Sequence, residues 1–172
     1  MKKILAILLL ALLCITAFAE ADKPLPDPNA GAYRSQKPTA PNVVLPGWKE
    51  LYIEADTVSV WMPFYNPESN EGNYDLTFSL WVALPEEDIG EGIETETVEE
   101  TDRDTGETRQ VIYAKLSQSG LVAPGLYLQE VTLFQSVPKG IYKAFVHMQP
   151  YKVGNTEATN NNGRTAIILI AD

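Results

Sequence analysis

This chain of 172 residues contains one cysteine, Cys14, and one histidine, His147. A Cys/His zinc cluster cannot be assembled from so few ligands, and no disulfide can close within the chain. Positive charge is also scarce: 13 Lys and Arg stand against 23 Asp and Glu, a net charge of −10. Non-specific nucleic-acid affinity comes from Lys and Arg displacing counterions from phosphates, so nucleic acid is not an expected partner. There is no Gly-x-Ser-x-Gly nucleophile elbow and no phosphate-cradling glycine loop, which removes the commonest signatures of hydrolases and nucleotide enzymes. No apolar run beyond residue 20 approaches the roughly 20 residues that span a bilayer, so no membrane span is expected in the mature form.

The one long apolar run is at the start. Lys2 and Lys3 precede an apolar stretch over 4–15, and Ala17-Phe18-Ala19 follows it. That order is a secretory signal peptide, 1–19, with cleavage after Ala19. Cys14 follows Leu12 and Leu13, where a lipoprotein signal wants a small residue, so lipidation is not expected. The mature chain is then free of cysteine, which suits a secreted or extracytoplasmic bacterial protein held by its core.

Residues 20–46 carry Pro24, Pro26, Pro28, Pro38, Pro41 and Pro46 without helical or strand period, the composition of a linker or extended arm. Tyr33, Val43, Val44 and Leu45 are the residues in it able to lie on a domain or pair at a sheet edge. From 47 to 172 the pattern becomes short runs rich in Val, Ile, Tyr, Phe and Thr, broken by Gly, Pro, Asn and Asp. These predict strands over 49–55, 57–65, 74–84, 110–116, 127–133, 141–149 and 165–171. Seven antiparallel strands predict an all-β, immunoglobulin-like sandwich. Val58, Val60, Met62 and Phe64 share one face of the second strand, and Leu76, Phe78, Leu80 and Val82 one face of the third; the two rows should meet in the core. The turn-forming residues 66–72 should close the loop between them, and 160–163 the last hairpin. Gly140 and Tyr142, at the start of the penultimate strand, have the placement of a tyrosine corner, in which the ring bonds back to the preceding loop.

Charge is concentrated in a single segment. Between Glu86 and Glu107 eleven acidic residues stand against Arg103, which accounts for the whole net charge. Glu and Thr alternate over 94–101 and Asp104-Thr105-Gly106 supplies a turn, so 85–109 reads as an acidic hairpin projecting from the sandwich, polar on both faces and mobile at its tip. Asp102 and Asp104 have the alternate spacing of calcium ligands, but an EF-hand-like loop needs Gly at its sixth position and an acid at its twelfth, where this chain has Glu107 and Tyr113. A metal site is therefore not expected, and neither is any cofactor. His147 lies in an alternating strand and faces away from Tyr142, Ala144 and Val146, the placement of a structural or surface histidine. Carboxylates gathered in a mobile segment are poorly suited to the fixed separation that glycoside hydrolysis requires, so no enzymatic activity is expected.

Binding surfaces are better represented. Trp61 and Trp81 lie opposite the aliphatic rows of their strands and, with Tyr65, form a candidate aromatic strip for a sugar or a protein partner. Pro46-Gly47-Trp48, the run 64–70, the strand 76–80, the run 119–125, Leu133 and Gly140-Ile141-Tyr142 occur in this order. In that order they resemble a family of small secreted proteins of Gram-positive gut bacteria with a single immunoglobulin-like sandwich domain. The resemblance covers about 46–171; it implies fold and export and brings no catalytic or binding residues with it. The expectation is an exported, non-catalytic module that binds a protein or glycan at the cell envelope. The alternative is an assembly component whose Pro-rich arm adds a strand to a neighbour's sheet edge.

Overall fold

A computed structural model describes residues 24–28, 30–32, 43–102, 105–155 and 158–172; the expected signal peptide, Cys14, Tyr33 and Asp104 lie outside them. The chain is all-β. Its strands are β1 (Ala30–Ala32), β2 (Glu50–Ile53), β3 (Ser59–Val60), β4 (Tyr74–Val82), β5 (Thr95–Thr101), β6 (Thr108–Gln118), β7 (Leu126–Leu128), β8 (Val131–Thr132), β9 (Gly140–Lys152) and β10 (Gly163–Ala171), with single 3-10 turns at Glu68–Asn70 and Glu86–Asp88. One six-stranded sheet runs β2-β10-β9-β4-β6-β5, and two short pairs, β1-β7 and β3-β8, lie outside it.

The sheet's inner face is the expected one. Leu76, Phe78, Leu80 and Val82 of β4, Ala144, Val146 and Met148 of β9, and Ile167 and Leu169 of β10 share one core with Val60, Met62, Phe64, Leu128, Val131 and Leu133 of the facing segments. Phe64 stacks on Phe78 across the interface, with centroids 5.5 Å apart. Val58 departs from its predicted row and is exposed, because regular pairing there covers only Ser59 and Val60.

Three expectations need correction. The described residues form ten strands, and the runs 57–65 and 127–133 are not continuous strands. Val60 faces Val131 but Tyr65 faces Tyr127, so the register slips by one residue and the regular ladder breaks. The sheet is also not purely antiparallel, since β2 joins β10 in parallel. The segment read as a linker or extended arm contributes β1, which pairs along β7, and Pro26 bridges Leu121. Farther along, the buried Asn70 side chain accepts from the Val44 N–H and donates to the Val44 carbonyl, both at 2.8 Å, which is how a neighbouring strand would hold it. At the start of β9 the Tyr142 hydroxyl donates to the Pro138 carbonyl at 2.9 Å. A Cβ on Gly140 would stand 2.8 Å from that hydroxyl, so the ring and any larger residue at 140 compete for one space.

The acidic hairpin is the third correction: it does not project. Val98, Val111 and Tyr113 fall on one face of the β5-β6 pair, and that face packs on Trp81 and Phe145. The ribbon therefore has an apolar side that its Glu-Thr alternation conceals. A bulge in β6 opposite Leu80 and Trp81 adds local twist where the ribbon begins. The Glu96 carboxylate then accepts from both terminal nitrogens of Arg164, at 2.8 and 2.9 Å. Those residues sit on β5 and β10, four positions apart in the sheet, about 19 Å if it were flat. The sheet is curled, and its acidic edge folds back over its own outer face.

Candidate functional site

The curl makes the outer face concave and leaves a groove of about 580 Å³. Its floor is Thr77, Ser79 and Trp81 from β4 and His147, Gln149 and Tyr151 from β9; Lys115 and Gln118 of β6, Ser119 just after it, Glu94 to Glu96, Arg164 and Pro24 form the walls. These positions follow from alternation: the residues between the core-facing ones on β4 and β9 point outward, and the register sets Ser79 opposite His147 and His147 opposite Arg164.

Beside the groove a second apolar cluster lies under the ribbon. The Trp81 and Phe145 rings stack at 5.7 Å, Tyr113 tilts against Phe145 at 5.0 Å, and Arg164 and Lys115 sit over the Phe145 and Trp81 rings at 4.7 and 5.5 Å. The Trp81 indole N–H donates to Ser79 Oγ at 3.0 Å. Ion pairs close the rim, Lys115 with Glu94 at 2.9 Å and Arg164 with Glu96, and farther along the ribbon Lys143 pairs with Glu100 at 2.6 Å. The Tyr113 hydroxyl also donates to Glu100. The hydrogen bond from Lys143, then that from Tyr113, holds the Glu100 carboxyl below its ordinary range, while burial and then the Glu100 hydrogen bond push the Tyr113 phenol up.

His147 is half-buried. Burial, then the positive charge of Arg164, lowers its pKa, with Glu96 opposing and Lys115 reinforcing. Because the folded value lies below the ordinary one of about 6.5, the unfolded chain binds more protons between the two. The stability this group contributes is complete above pH about 6.5 and is lost as pH falls toward the folded value. Melting temperature against pH checks this: the advantage of the wild type over His147→Gln should shrink on acidification within that window and stay constant above it.

The aromatic strip does not assemble. Trp81 faces out from the six-stranded sheet and is 7% exposed, sheltered by its ring neighbours. Trp61 follows β3 on the opposite layer and is 62% exposed. Since Val60, Met62 and Phe64 point inward there, Trp61 points away from the groove, on the far side of the core. Tyr65 turns its ring toward Trp48, 6.2 Å away. Asp102 takes part in the hairpin turn, its side chain accepting from the Thr105 N–H at 3.0 Å and its carbonyl from the Gly106 N–H at 2.8 Å. Among the described residues no group of three or more His, Cys, Asp or Glu could hold a metal ion.

No family model, no curated protein and no solved structure matches this chain. Of the groove residues, the sequence reading singled out Trp81 alone as a binding residue. Gln149, Tyr151 and Arg164 could have been placed on an outward face by alternation, but nothing in one sequence says that β5 curls over to make that face a groove.

Proposed function

We propose that this chain is an exported, non-catalytic module with an immunoglobulin-like sandwich, and that it binds a glycan at the bacterial cell envelope in the concave outer face of its six-stranded sheet. The observation that carries the reading is the groove's composition. Amides (Gln118, Gln149), hydroxyls (Thr77, Ser79, Ser119, Tyr151) and a half-buried imidazole converge on one cavity whose charged groups are balanced by their own ion pairs. Such a lining offers many donors and acceptors and little net field, which suits a neutral polyhydroxylated ligand. The signal-peptide pattern and the resemblance to small secreted sandwich proteins support export. The test is a glycan array followed by pull-down from envelope extracts with the purified protein. A ligand should be retained, and Gln149→Ala should weaken it by tenfold or more while Trp61→Ala leaves it unchanged. Retention that is indifferent to Gln149→Ala and lost in Trp61→Ala would move the site to the other layer.

Assembly through the arm is a second reading, favoured by β1, whose pairing along β7 uses backbone hydrogen bonds that a second copy's arm would satisfy equally. Deleting residues 20–45 separates the two: self-association disappears under the assembly reading, and envelope binding persists under the first.

A further inference from the structure

A second cleft of about 590 Å³ opens at the other end of the curled sheet. It exists because β4 is shorter than its neighbours. Ala83 still donates its N–H to the Lys143 carbonyl at 2.9 Å, but the Leu84 N–H turns back to the Val82 carbonyl at 3.0 Å and the chain leaves the sheet. Beyond that point β6 and β9 continue with no strand between them. Ala83, Leu84 and Pro85 lie at the base, residues 109–112 form one wall, and residues 141–143 form the other.

The ladder fixes what these walls present. Lys115 bonds toward β5 through the Glu94 carbonyl at 2.8 Å, so by strand alternation residues 113, 111 and 109 also bond toward β5, and Gln110 and Ile112 turn their N–H and C=O toward the cleft. On the opposite wall the Lys143 carbonyl already faces this side, so Ile141, two residues before it, does too. Ile141 is 73% exposed. Lys143 is held by Glu100, and Arg109, lining the same cleft, stands across the β5-β6 ladder from that glutamate and acts on it by its charge.

We propose that this cleft is a docking site for an extended peptide, which takes the sheet position that β4 vacates. The peptide backbone pairs with Gln110 and Ile112, an apolar side chain rests against Ile141 and Pro85, and a carboxylate side chain meets Arg109. Backbone pairing at an unfilled sheet position supplies affinity, while the apolar base and the Arg109 guanidinium select the sequence. The site is separate from the groove and uses none of its residues.

The probe is a fluorescein-labelled, end-capped heptapeptide in which valine alternates with threonine and aspartate, titrated into the purified protein and followed by fluorescence anisotropy. Saturable binding is expected. Gln110→Pro removes only an N–H that faces the cleft, which edge positions tolerate, and should weaken binding by tenfold or more with little change in melting temperature. Arg109→Glu should weaken it at least fivefold and favour a peptide carrying lysine in place of aspartate. A peptide N-methylated at alternate residues should not bind the unmodified protein, and this keeps the test independent of how Gln110→Pro folds. No saturation up to about 1 mM peptide, or equal binding of the N-methylated peptide, overturns the proposal.

Discussion

Replacing Asn66 with alanine is expected to lower stability by roughly 3 kcal/mol, seen as a urea midpoint shift at unchanged slope and a melting temperature lower by about 6–12 °C. Asn66 is fully buried in the loop between β3 and β4. Its amide donates to the Tyr74 carbonyl at 3.0 Å and the Val122 carbonyl at 2.8 Å, and its side-chain oxygen accepts from Asn70 at 2.7 Å. Three bonds at about 1 kcal/mol each set the scale. Alanine also leaves the Tyr74 and Val122 carbonyls and the Asn70 amide without these partners. Asn66→Asp should be at least as damaging near neutral pH, because a carboxylate has no donor for the two carbonyls. Asn73→Ala is the control: that side chain makes one exposed bond of 3.2 Å to the Glu71 carbonyl, and its loss should stay within about 0.5 kcal/mol. Equal costs at 66 and 73 would show that the buried amide network does not hold this corner.

The difference between these two asparagines was not legible in the sequence, where Asn66 opens the turn-forming run 66–72 and Asn73 follows it directly. What was legible is what alternation encodes. The Leu76-to-Val82 row is buried throughout, because a period of two places every second residue on one face whatever the neighbouring strand is. Partner identity has no such local signal. Glu96 meets Arg164 across 68 positions and Glu100 meets Lys143 across 43, so the glutamates of 94–101 read as a solvated polar ribbon when their counter-charges were already present on β9 and β10. The same limit hid the groove. Thr77, Ser79, His147 and Gln149 are unremarkable outward residues on a flat sheet and become a binding surface only once the sheet curls.

Replacing Phe145 with alanine is expected to cost roughly 3 kcal/mol and to release the acidic ribbon, whereas about 1 M salt should shift the melting temperature only slightly. The two interactions holding the ribbon differ in size. Its ion pairs have partly exposed side chains, from 18% for Lys115 to 63% for Glu94; at such exposure each contributes about 0.2–1 kcal/mol, and salt near 1 M shortens the screening length to about 3 Å. Phe145 is 7% exposed and touches Trp81, Tyr113 and Arg164 together, so its removal opens a cavity under Val98 and Val111 and strips Arg164 of the ring that orients it toward Glu96. Phe145→Leu, which keeps most of the volume, should lose only about 1 kcal/mol. Amide hydrogen exchange gives the local readout: residues 98, 100, 109 and 111, whose N–H groups face across the β5-β6 ladder, should exchange faster in Phe145→Ala at low salt and stay protected in the wild type at high salt. If salt alone exposes those amides, then charge and not the buried ring cluster closes the sheet over its groove, and the groove's shape would follow the ionic strength of its surroundings.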